Sequence, residues 1–139
     1  MADLFSLKLI TPTGVVFEGQ VKQVTAIGPL GEFGVLADHI NFITSLLPGV
    51  LRIEKQGAAT ETWVVSGGLA EVKDGTMTLL ASGTEAPASI DRVQAEEQER
   101  AADEKAATMS FYDADYPAAE EALLLARART QAVSAASSR

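Results

Sequence analysis

Short runs of β-branched and apolar residues recur up to about residue 84, as in Leu7 to Ile10, Val21 to Ile27, Thr60 to Val65 and Thr76 to Ala81. Reversal signals punctuate them at Pro12-Thr13-Gly14, Gly28-Pro29, Pro48-Gly49 and Gln56-Gly57. Between Thr60 and Val65 the period is two, with Glu61, Trp63 and Val65 on one face and Thr60, Thr62 and Val64 on the other. Glu71-Val72-Lys73, then Asp74-Gly75, then Thr76-Met77-Thr78 predicts a tight hairpin, because Asp-Gly accepts the positive φ values of a two-residue turn. About eight short strands in ~80 residues predict an antiparallel sandwich or barrel.

The grammar then changes. All eleven glycines lie between Gly14 and Gly83, and from Glu85 onward alanine becomes the dominant residue, with only Ile90, Val93 and Val133 as β-branched aliphatics. Such a composition favours helix. A first helix is expected from Ser89 as N-cap, with Asp91 in its first turn, to about Thr108, with Glu96 and Arg100 paired on its surface. Ser110 to Tyr116 interrupts it. A second helix is expected to start near Asp115 or Tyr116, with Pro117 where its missing N–H is harmless, and to end near Ala136.

The stripes at helical spacing are mostly small: Ala95, Ala102, Ala106 and Met109, then Ala119, Ala122, Ala126 and Val133. They predict an antiparallel helical hairpin. Each alanine buries only a methyl group, about 0.8 kcal/mol of transfer energy, so this hairpin is held less firmly than a leucine-rich one. The expected division is a β-domain over residues 1–85 and a two-helix part over 86–139.

Nearly half of the residues are apolar, enough for a core. No apolar run approaches the ~20 residues needed to cross a bilayer. The opening MADLFSLKLI has neither a basic region nor a long apolar stretch, so the expectation is a protein that stays where it is made. A formal charge of −8 has the wrong sign for a nucleic-acid partner. The absence of cysteine removes disulfides, thiolate metal sites and cysteine catalysis.

Little in the chain points to catalysis. His39 is the single histidine, and Ser66-Gly67-Gly68 lacks the preceding glycine of a nucleophile elbow. Gly67-Gly68 leads into a strand rather than a helix, so it is not a phosphate loop. Glu96, Glu97, Glu99, Asp103 and Glu104 spread around a helix and read as a solvated face rather than a metal site.

Several segments, in order and spacing, carry a resemblance. Gly31-Glu32-Phe33-Gly34-Val35-Leu36 is followed by Asp38-His39, Leu47-Pro48-Gly49, Ser66-Gly67-Gly68-Leu69-Ala70-Glu71-Val72 and Thr78-Leu79-Leu80-Ala81. Asp115-Tyr116 and the alanine-rich run to Arg129 complete the set. Over nearly its whole length the chain resembles the epsilon subunit of F-type ATP synthases, a non-catalytic part of the rotating central stalk.

The resemblance implies an α+β chain in two parts, an N-terminal antiparallel β-sandwich of about ten strands followed by a C-terminal antiparallel α-helical hairpin. The implied partners are the gamma subunit, the membrane c-ring and, in an inhibited state, the alpha/beta catalytic head. It implies a peripheral position on the cytoplasmic face of a bacterial inner membrane, or a plastid thylakoid, with no insertion into the bilayer. Gly31, Glu32, Phe33, Gly34 and His39 would contact ring and stalk, with Glu32 pushed outward by a reverse turn between its glycines. Arg127, Arg129 and Arg139 would face acidic segments of the head when the hairpin extends.

Some family members bind ATP through Ile/Leu-Asp-x-x-Arg-Ala in the helical part. The corresponding stretch here is Ile90-Asp91-Arg92-Val93-Gln94-Ala95, where Ile90, Asp91 and Ala95 match and Gln94 replaces the arginine. A neutral amide lacks the charged fork that suits phosphate, and Arg92 lies toward the other side of the helix. The expectation is therefore no cofactor, with an ATP-sensing hairpin as the alternative.

Overall fold

The computed structural model describes residues 3–137. Ten strands come first: β1 (Phe5–Thr11), β2 (Gly14–Val21), β3 (Gln23–Gly28), β4 (Gly31–Val35), β5 (Phe42–Leu46), β6 (Gly49–Glu54), β7 (Glu61–Val65), β8 (Gly68–Lys73), β9 (Thr76–Ala81) and β10 (Thr84–Glu85). Two helices follow, α1 (Arg92–Ala107) and α2 (Tyr116–Ser137). Arg139 lies outside the described residues.

The strands form two five-stranded sheets, ordered β2-β1-β9-β8-β5 and β10-β7-β6-β3-β4. All pairings are antiparallel except β1 with β9, which run parallel and tie the start of the β-segment to its end. The sheets face each other over one core, in which Leu7, Leu9, Val24, Ile53, Met77 and Leu79 are almost fully buried. At roughly 1.5–3 kcal/mol per large apolar side chain, this layer dominates the stability of the chain.

The Asp74-Gly75 turn forms as expected, with φ of 50° and 79°. The single strand expected over Val21 to Ile27 is instead broken at Lys22, whose N–H leaves the pattern to donate to Glu54 O at 2.7 Å. The alternation of faces at Val64 and Val65 holds, but both faces are covered there and both residues are buried. Val65 faces the sandwich core, while Val64 and its cross-strand partner Val50 face outward into a second cluster with Ile90, Ala95, Ala128, Ala132 and Val133. That cluster is where α2 covers the outer face of β6 and β7.

Ser89 does not cap α1. Its Oγ donates to Ala86 O at 2.7 Å and closes a short 3₁₀ turn over Pro87–Ser89, after which Ile90 is extended and enters the second cluster. The helix therefore starts later, and Asp91 is its N-cap, with Oδ1 accepting from Gln94 N at 2.9 Å. On the surface Glu96 pairs with Arg92 at 3.2 Å, leaving Arg100 to pair with Glu97 and, at 3.9 Å, Glu104. The expected Glu96–Arg100 pair is displaced by these nearer partners.

The helices are antiparallel, since late residues of α2 meet early residues of α1: Thr130 Oγ1 donates to Ala95 O at 3.4 Å. Toward the connecting loop the pair opens on a cleft of about 390 Å³ lined by Ala102, Lys105, Met109, Ala119 and Ala122. Ala122, expected in the buried stripe, is exposed there, and Leu123 is buried in its place. Methyl groups are too short to close the gap.

Candidate functional site

One end of the sandwich gathers the residues singled out between positions 31 and 39. The β3–β4 turn projects Leu30, which is fully exposed, while the loop after β4 exposes Leu36 and Ile40. Gly31, Glu32, Phe33 and His39 share a groove of about 230 Å³ with Leu30, Phe42 and Thr44. Gly34 does not line it. It lies on a neighbouring cleft of about 470 Å³ with Asp3, Lys22, Asp38 and His39, so His39 stands between the two.

His39 Nδ1 donates to Ile40 O at 2.9 Å, and its ring lies 4.8 Å from that of Phe42. The carbonyl can only accept, so the proton on Nδ1 is fixed by the loop. Phe33 meets Phe42 edge-on at 5.8 Å and supports the groove from below. Glu32 is not on a reverse turn. It is in β4, with an exposed carboxylate 3.8 Å from Arg52, because the reversal falls earlier, at Pro29-Leu30. Sequence reasoning missed Leu30, Leu36 and Ile40; an apolar residue inside a Pro-x-Gly turn was the available signal for the first.

The outer face of the β2-β1-β9-β8-β5 sheet is uncovered. Val15, Ile10, Leu80 and Leu69 lie side by side across four strands of that face, and Ile43 adds an exposed apolar residue on β5. Their alternation with Leu9, Leu79 and Ala70, which point inward, is legible, but their juxtaposition depends on strand order.

The three residues of the partial nucleotide motif have local structural roles. Ile90 and Ala95 are buried in the cluster beneath α2, and Asp91 caps α1. Among the described residues no group of histidine, cysteine and carboxylate side chains is arranged to hold a metal ion, and no helix is long and apolar enough to cross a membrane.

Arg127 and Arg129 are engaged across the hairpin. Arg127 lies 3.6 Å from Asp103 of α1, both half-exposed. Arg129 is more enclosed: its guanidinium donates to Gln98 Oε1 of α1, and its Nε lies 3.1 Å from Glu85 Oε1 at the end of the β-segment. The Nε–Glu85 approach is an ion pair by distance without the alignment of a hydrogen bond. Neither Glu85 nor Gln98 was predicted as a partner.

The family model of the ATP synthase delta/epsilon chain, beta-sandwich domain, matches residues 4–87. The chain belongs to the ATP synthase delta/epsilon family. Two ATP synthase epsilon chains, from Campylobacter jejuni subsp. doylei and subsp. jejuni, are 42% and 41% identical to it over 83 residues. That stretch is 60% of this chain and 64% of each relative, so it spans less than two thirds of their length. Among solved structures, a chain of the Euglena gracilis mitochondrial ATP synthase is similar, with a TM-score of 0.78 and 26% identity over 98% of this chain and 82% of that one. A chain of the Tetrahymena thermophila mitochondrial central stalk and c-ring shares the fold alone, with a TM-score of 0.63 at 17% identity over 92% and 95%. The sandwich and the two helices of this delta/epsilon-type chain are thus matched together in one chain of the Euglena gracilis assembly.

Proposed function

We propose that this chain is the epsilon subunit of an F-type ATP synthase, a non-catalytic coupling element of the central stalk. The observation that carries the reading is family membership over residues 4–87 together with a whole-chain likeness, helices included, to a chain of an assembled ATP synthase. In this reading the uncovered sheet face with Val15, Ile10, Leu80 and Leu69 holds the gamma subunit. The exposed Leu30, Leu36 and Ile40, with Glu32 and His39, meet the polar loops of the membrane c-ring. Ion-driven rotation of the ring then reaches the alpha/beta head through a clamp that itself breaks no bond, on the cytoplasmic face of a bacterial inner membrane.

The sandwich supports this assignment physically. The chain's own α2 covers one sheet face, while the opposite face keeps an apolar row exposed to solvent. Introducing charge there through the double substitution Ile10→Asp and Leu80→Asp is expected to abolish co-purification with the host's gamma subunit while circular dichroism stays unchanged. Retention of gamma by that variant contradicts the assignment of this face.

The helical hairpin is the regulatory part of the proposal: released from the sandwich, it enters the head and brakes ATP hydrolysis. Its alanine-rich packing supports release, because two states of the hairpin need to lie within a few kcal/mol of each other. Removing residues 88–139 is expected to raise ATP hydrolysis by the assembled complex without preventing assembly. Unchanged hydrolysis argues against a brake.

A further inference from the structure

The hairpin rests on the sandwich through small side chains, and one enclosed cation stands out among them. Arg129 sits at the meeting point of three segments: α2, which carries it, α1 through Gln98, and the last strand of the sandwich through Glu85. The arginine side chain is 19% exposed and Glu85 is 38% exposed, whereas the ion pairs described above for Arg92, Arg100 and Arg127 are about half exposed or more. At the next residue Thr130 Oγ1 reaches Ala95 O and Ala126 O, and Ala128, Ala132 and Val133 fill the adjoining apolar cluster. We infer that Arg129 and Glu85 form the latch that holds the helical hairpin against the β-sandwich, and that Arg129 reaches an acidic partner elsewhere only after leaving Glu85.

Several features give this pair more influence than a surface ion pair. An arginine fork engages two acceptors at once, one on each neighbouring segment, so losing it uncouples the hairpin from the sandwich and the helices from each other. Partial enclosure reduces solvent screening. The apolar cluster beside it is small, with Val50, Val64, Ile90 and Val133 set among three alanines, and gives far less reserve than the sandwich core. Arg127 pairs with the half-exposed Asp103 within the hairpin and has no part in the latch.

The consequence is mutual exclusion. One guanidinium serves the folded hairpin or an acidic surface of another protein, and any partner that recruits Arg129 must displace Glu85. This deepens the regulatory reading proposed above and rests on it only for what the released hairpin does; the latch itself is a property of the single chain.

The test is hydrogen exchange of the full chain, reading α2 amides around Ala128–Val133 against Met77 and Leu79 of the sandwich core as internal reference. Glu85→Gln and Arg129→Gln are each expected to speed α2 exchange about threefold or more and leave the core strands unchanged. The charge-swapped double substitution Glu85→Lys with Arg129→Glu is expected to restore slow exchange, since Gln98 can donate to the new carboxylate as readily as it accepts from arginine. Unchanged exchange in Glu85→Gln overturns the latch, as does a double substitution that behaves as the sum of the two. In the assembled ATP synthase the same Glu85→Gln is expected to deepen inhibition of hydrolysis. Faster exchange with unchanged hydrolysis would leave the latch standing and remove the brake.

Discussion

At Gly68 the sheet has no room for a side chain: an added Cβ would lie 2.0 Å from Leu80 O, and φ is 149°. Gly68→Ala is therefore expected to destabilise the sandwich by about 2 kcal/mol or more, lowering the thermal midpoint by on the order of 10 °C. Asp91 is a second position where one atom matters. Asp91→Ala removes the N-terminal side-chain cap of α1 and is expected to cost about 1 kcal/mol, read as faster exchange in the first turn, whereas Ser89→Ala leaves that turn unaffected. The sequence pointed to Ser89 as the cap with Asp91 in the first turn, and the shift of the cap to Asp91 depends on Ile90. Its side chain has to reach the cluster under α2, which keeps its backbone extended and postpones the helix. A tertiary requirement of that kind leaves no mark in local pattern. Residue types near the groove at Gly31 to His39 were legible, but the exposed Leu30, Leu36 and Ile40 that surround it were not, because exposure depends on where loops end.

At the scale of elements, the two parts of the chain are held by different means. Leu79→Ala opens a cavity in a core of large side chains and is expected to cost 2–5 kcal/mol, lowering the midpoint of global unfolding. Val133→Ala removes contacts only from the small second cluster; its cost of about 1.5 kcal/mol is expected to appear as faster exchange in the hairpin with the sandwich midpoint unchanged. Strand and helix content followed directly from the change in grammar near residue 84, since turn residues and β-branched runs act locally. Sheet order did not, because the parallel pairing of β1 with β9 joins segments about seventy residues apart, and the double burial of Val64 and Val65 reflects a helix supplied by the far end of the chain. Separation along the chain likewise hid Glu85 and Gln98 as partners of Arg129.

For the whole molecule, the sandwich offers one face to its own hairpin, the opposite face to solvent and one end to an apolar loop cluster around His39. The proposed division at residues 1–85 assigns assembly to the sandwich and regulation to the hairpin, with Glu85 and Arg129 at the seam. The most direct measurement is co-purification with the host's gamma subunit at moderate salt, comparing the intact chain with residues 1–85. The account predicts that both retain gamma, which locates the stalk contact in the sandwich and leaves the hairpin free to move. Failure of the intact chain to retain gamma would contradict its proposed place in the central stalk.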